Sequence, residues 1–159
     1  MNLSNILKNT FLVILVSLVV SACASKKTTT TSSLESQIQG DVYTGTDTVE
    51  YLAKGVPDRV FFATNESILT TKSRDTLRKQ AAWLRENSNV NVVIEGHADE
   101  RGTREYNLAL GERRANAAKD YLMTYGISAD RISVISYGKE RPVDPGSNPL
   151  SWSKNRRSV

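Results

Sequence analysis

Cysteine occurs once in this 159-residue chain, at Cys23, and histidine once, at His97. A single thiol excludes a disulfide within the monomer. A metal site would need further histidine or cysteine ligands, so neither a metal nor a cofactor is expected. Long apolar runs are missing too. The stretch from Phe11 to Ala22 covers roughly 18 Å at about 1.5 Å per residue, against about 30 Å of membrane hydrocarbon. Lys8 and Asn9 block its extension backwards, so it is too short to span comfortably. Excess charge is small, with 21 Lys and Arg against 17 Asp and Glu and a net +4. That surplus does not argue for nucleic acid and better suits association with an anionic polymer or lipid head groups. Catalytic groupings are scarce as well. Glu95, Asp99 and Glu100 have no Ser-His arrangement with them, and neighbouring side chains diverge in an extended chain. No catalytic residue is assigned, and no enzyme is expected.

What is present begins with the order of a secretory signal: a basic start at Lys8, an apolar middle, and the small residues Ser21-Ala22 before Cys23. Val20-Ser21-Ala22-Cys23 resembles the lipobox at which bacterial lipoproteins are acylated and cleaved. The plainer alternative for a lone cysteine is a small buried hydrophobe or a free thiol. One acyl chain holds a protein to a membrane only marginally, so stable anchoring at Cys23 needs more than one. Ala24 stands where the retention signal of inner-membrane lipoproteins would be Asp, which favours the outer membrane.

The expected organisation is a signal peptide over residues 1–22, a disordered lipid-anchored linker over 23–55, and one globular domain over 56–159. Thr28-Thr29-Thr30-Thr31-Ser32-Ser33 offers nothing apolar to bury, which is the basis for the linker. Within the domain, Arg59–Phe62 reads as a short strand. Ser73–Arg85 reads as a helix with Leu77, Ala81 and Leu84 on one face. Val90–Glu95 is a second strand ended by Gly96. Glu105–Tyr125 is the longest helix, with Leu110, Ala117, Tyr121 and Tyr125 marking a stripe and Gly126 as its C-cap. Arg131–Ser136 is a third strand, and Asn155–Val159 a fourth. Strands alternating with helices predict an α/β fold with helices packed on one sheet.

The most informative stretch is Glu95-Gly96-His97-Ala98-Asp99-Glu100-Arg101-Gly102-Thr103, followed by Asn107-Leu108-Ala109-Leu110-Gly111-Glu112-Arg113-Arg114-Ala115-Asn116. A strand delivers a carboxylate into a loop, and a helix then presents an arginine. Asn107 and Arg114 are two helical turns apart and can face the same way. An Asp near an Arg is commonly no more than an ion pair or a solvated surface. Guanidinium nevertheless suits a carboxylate, and Asp an ammonium, so the pair also fits a ligand carrying both charges.

These motifs resemble the OmpA-like family, and more narrowly its peptidoglycan-associated lipoprotein branch. Ser136-Tyr137-Gly138-Lys139-Glu140-Arg141-Pro142 and Ser153-Lys154-Asn155-Arg156-Arg157 also fit. The resemblance implies a mixed four-stranded sheet in β-α-β-α-β-β order. It implies that Asp99 and Arg114 grip meso-diaminopimelate of the peptidoglycan stem peptide, with Asn107 supporting the loop or touching the ligand. Where the family usually has an aromatic and an acid after the first strand, this chain has Thr64 and Asn65. Asn65 is therefore a weaker acceptor, through its amide oxygen. His97 reads as a packing or hydrogen-bonding residue beside the site, the alternative being a pH-sensitive contact. Arg101 and Arg104 are placed at a solvated rim. The resemblance also implies an outer-membrane lipid anchor with the domain in the periplasm, and partners in the Tol system alongside peptidoglycan.

Overall fold

The computed structural model describes residues 41–159. The expected signal peptide, Cys23 and the Thr-rich run lie outside the described residues. In chain order the elements are β1 (Tyr51–Ala53), β2 (Val56–Pro57), β3 (Val60–Phe61), α1 (Thr71–Glu86), β4 (Val92–His97), α2 (Arg104–Thr124), β5 (Ile132–Gly138), α3 (Pro149–Asn155) and β6 (Arg157–Ser158). β1 and β2 form a separate two-stranded ribbon, while the main sheet runs β3-β6-β4-β5. β4 and β5 are parallel, Val92 opposite Ile132 and Glu95 opposite Ile135. β6 lies antiparallel to both of its neighbours, with Ser158 opposite Val60 on one side and Gly96 on the other.

Each helix starts where a side-chain oxygen accepts a bond from an otherwise orphaned backbone N–H. Thr70 caps α1 through Ser73 N, Thr103 caps α2 through Tyr106 N, and Asn148 caps α3 through Ser151 N with Pro149 in the first turn. Beyond α2, Gly126 takes φ +84°, the left-handed turn that ends helices at little cost to glycine.

The core joins Val60, Phe62, Leu77, Ala81, Leu84, Ile94, Ala115, Ala118, Leu122, Ile127 and Ile132. The α1 stripe is the expected one. In α2 the buried face is instead Asn107, Leu110, Gly111, Arg114, Ala115, Ala118 and Leu122. The stripe expected through Ala117, Tyr121 and Tyr125 lies at its margin, because a glycine, an asparagine and an arginine occupy buried positions that hydrophobic periodicity cannot register. α2 sits unusually close to the sheet, since a Cβ added at Gly111 would lie 2.8 Å from the Gly96 carbonyl oxygen.

Two other expectations shift. α3 is inserted between the last two strands, so the fourth strand is confined to Arg157–Ser158. Only Leu150 and Trp152 are apolar in that seven-residue helix, too few for a periodic signal. The region expected as linker up to residue 55 is also structured from Asp41 onward. Val42 and Tyr43 are buried with Phe61 and Ala63, the Tyr43 and Phe61 rings meeting edge-on at 4.9 Å. The two buried residues stand side by side, a placement that neither a helical nor a strand period predicts. A cavity of about 250 Å³ opens over Leu77, Leu84 and Ile94 beside Val159, and one of about 80 Å³ lies beneath Tyr43.

Candidate functional site

The β4 strand ends at His97, and the loop that follows carries Asp99 into a setting dominated by arginines. Asp99 is only 7% exposed. Its oxygens are held from two sides. Arg101 donates from Nε to Oδ1 at 3.0 Å and from Nη2 to Oδ2 at 2.7 Å, while its backbone N–H adds a bond to Oδ1 at 3.1 Å. Arg156, 2% exposed, reaches Oδ2 from Nη1 at 3.4 Å. Burial raises the Asp99 carboxyl, but the Arg101 bonds and the charges of Arg101 and Arg156 carry it below its ordinary value.

Arg114 enters from α2, wholly buried. It donates from Nε to Glu66 O at 2.8 Å, from Nη1 to His97 O at 2.8 Å and from Nη2 to Ala63 O at 2.9 Å. All three partners are backbone carbonyls, so the side chain ties the loop after β3 to the end of β4. Its face also lies against Phe62, with 5.3 Å from Cζ to the ring centre. Carbonyl dipoles solvate the guanidinium without cancelling its charge. Burial, then repulsion from Arg156, pulls Arg114 down to about 9, still protonated at neutral pH, with Asp99 acting in the opposite sense.

Asp99 and Arg114 are therefore brought to the same pair of loops and are not hydrogen-bonded to each other. Neither lines the two cavities described above. Asn107, 2% exposed, donates from Nδ2 to Arg101 O at 2.8 Å, which makes it a brace for the 99–103 loop. Lys139 grips the same loop through Glu100 O and Gly102 O. Asn65 is exposed and adopts φ +56°, a left-handed geometry that asparagine tolerates better than most residues. It sits in the bend that turns Ala63 O and Glu66 O toward Arg114, and its side chain is exposed.

Three participants, Arg101, Arg156 and Asp41, had no site role in the sequence reading. Arg101, assigned there to a solvated rim, is the main partner of Asp99. It is further held by Thr64 Oγ1 at 3.3 Å and by the Trp152 ring, 4.4 Å from its Cζ. Arg156 donates to Phe62 O and to both the backbone and carboxylate oxygens of Asp41. Asp41 also accepts from Thr64 N at 2.7 Å, so a carboxylate from the N-terminal segment reaches the loop in which residue 65 is an amide. An Arg two residues after an Asp is a faint signal that could have been read; contacts spanning 57 and 115 positions leave none.

His97 is buried, its Nε2 3.3 Å from Glu95 Oε2 and its Nδ1 without a partner. Burial, then the charges of Arg157, Arg141 and Arg59, holds it down to about 3. It is neutral in the fold and takes up a proton near pH 6.5 only when unfolded. The unfolded chain thus binds more protons between those values, and stability falls as pH drops through 6.5. Urea unfolding at pH 7, 5.5 and 4.5 should show a loss approaching about 1.4 kcal/mol per pH unit below 6.5. A flat profile over that range would refute the neutral buried imidazole.

The family model described as the OmpA family matches residues 61–156. A peptidoglycan-associated lipoprotein of Mesorhizobium japonicum is 44% identical over 142 residues, covering 89% of this chain and 84% of the relative. One from Rhizobium meliloti is 41% identical over 158 residues, 99% of this chain and 89% of the relative. Among solved structures, the peptidoglycan-associated lipoprotein from Burkholderia pseudomallei superposes with a TM-score of 0.61 at 36% identity, over 63% of this chain and 85% of that one. The fold, the family model and these relatives agree: the chain belongs to the OmpA family and stands there with the peptidoglycan-associated lipoproteins.

Proposed function

We propose that this protein is a non-enzymatic lipoprotein of the outer membrane that holds peptidoglycan without covalent bonds. Cys23 carries the lipid, and the folded domain works in the periplasm. The ligand is the stem-peptide residue meso-diaminopimelate, whose side-chain end offers an ammonium and a carboxylate. The observation that carries this reading is the excess of cations at the site: Arg101 and Arg156 take the carboxylates of Asp99 and Asp41, and Arg114 stands beside them with no carboxylate bonded to it. A carboxylate from outside would balance Arg114, which now has only carbonyl partners. Its companion ammonium would take an oxygen of Asp99. A ligand lacking either charge would leave a desolvated protein group unpaired, which is a source of selectivity. Membership of the Tol assembly is part of the proposal and is supported by the family resemblance alone.

The test is retention on purified peptidoglycan sacculi, with and without free meso-diaminopimelate, for the wild-type chain and Asp99→Asn. Wild type should be retained and released by the free amino acid, and the variant should bind about tenfold or more weakly, since a charge-assisted bond contributes about 1.5–3 kcal/mol. Equal retention in all four samples would overturn the assignment.

A further inference from the structure

Both oxygens of Asp99 are already occupied. Arg101 covers them with a two-pronged contact at 3.0 and 2.7 Å, so an incoming ammonium meets a guanidinium where it would bind. We propose that Arg101 is a built-in competitor, a latch that keeps Asp99 closed until a ligand ammonium displaces it. The proposal rests on the diaminopimelate reading and adds how that site opens.

Asp99 and Arg101 differ in exposure. The Asp99 side chain is 9% exposed, whereas that of Arg101 is 42% exposed and can swing out with little repacking. The loop would survive the swing. The Arg101 backbone N–H still donates to Asp99 Oδ1, the Arg101 carbonyl still accepts from Asn107, and Arg156 still reaches Oδ2. The closed position has its own supports, because Trp152 lies under the guanidinium and is fixed by a 2.8 Å bond from its Nε1 to Glu100 Oε1. The neighbouring Glu100 contact from Ser147 adds to that brace. Arg114 and Arg156, by contrast, are buried and bound to carbonyls of the β3 end and its following loop, which gives them no comparable freedom.

A latch closed most of the time weakens apparent affinity by the fraction of molecules that are open. If one molecule in about ten is open, removing the latch tightens binding about tenfold. Arg101→Gln keeps the backbone contacts and removes the competing charge. Affinity for free meso-diaminopimelate is measured by calorimetry on the wild type and on this variant. Trp152 emission is followed in a Trp83→Phe background, leaving Trp152 as the single reporter. The latch predicts tighter binding by Arg101→Gln, and an emission change on titration in the chain with Arg101 that is lost in the variant. Equal or weaker binding by Arg101→Gln, with the wild type binding, would overturn the latch and leave the diaminopimelate site standing. Failure of both proteins to bind would overturn the site itself and the latch with it.

Discussion

Gly96→Ala is expected to cost about 3 kcal/mol or more, beyond the usual range for overpacking a core. The added Cβ would fall on the Gly111 carbonyl of α2, which is helix backbone and not a side chain that can turn away. α2 has little room to retreat. Ser136 Oγ donates to Leu108 O at 2.6 Å, and Arg114 fastens the same helix to three carbonyls on other segments. Gly138, at φ +51°, also brings β5 close to the helix, since its Cβ would lie 2.8 Å from Leu108 N. With total stability of a domain on the order of 5–15 kcal/mol, the substitution removes a large share of it. Thermal unfolding should show Tm lowered by more than about 10 °C. A loss below about 1 kcal/mol would mean that α2 slides outward freely.

Arg114→Leu is expected to destabilise by a similar amount through a different cause. It removes the Arg114 donor from the carbonyls of Ala63, Glu66 and His97, of which Ala63 O keeps a bond from Glu66 N at 3.2 Å, and each buried group left unpaired costs about 1–3 kcal/mol. Removing an unbalanced buried cation offsets part of that, so a net loss of about 3 kcal/mol is expected. Arg114→Lys should recover only a fraction, because a single ammonium cannot reproduce a planar fork addressing three directions. Urea denaturation at pH 7 measures both, through the midpoint at unchanged slope. Near-wild-type stability of the leucine variant would show that those carbonyls find other donors. Loss of peptidoglycan retention in an Arg114 variant therefore follows equally from a collapsed loop. Asp99→Asn and competition by the free amino acid are cleaner probes.

The elements that could be read from the sequence are those in which one local rule dominates. α1 shows its buried face because Leu77, Ala81 and Leu84 are apolar at helical spacing, and β4 shows itself as a β-branched run closed by glycine. α2 was legible in extent but displaced in its buried face, because Arg114 and Asn107 are polar residues inside a core and their partners are backbone groups remote in the chain. The short α3 carries too few apolar residues to stand out, and in the stretch from Asp41 the buried pair Val42 and Tyr43 is adjacent, which fits no period. At the site, the motif located Asp99 and Arg114 on their elements. It did not show that Arg101 occupies Asp99, nor that Asn65 serves as a bend. Both depend on side-chain direction in loops, where neither period nor composition applies.

One contact ties the start of the described chain to this arrangement. Arg156 holds Asp41 by its carbonyl and its carboxylate while also touching Asp99. Force applied to the chain at Asp41 therefore meets the Arg156 guanidinium before it reaches the buried Val42 and Tyr43, so the charged contacts around Asp99 are loaded ahead of the hydrophobic interior.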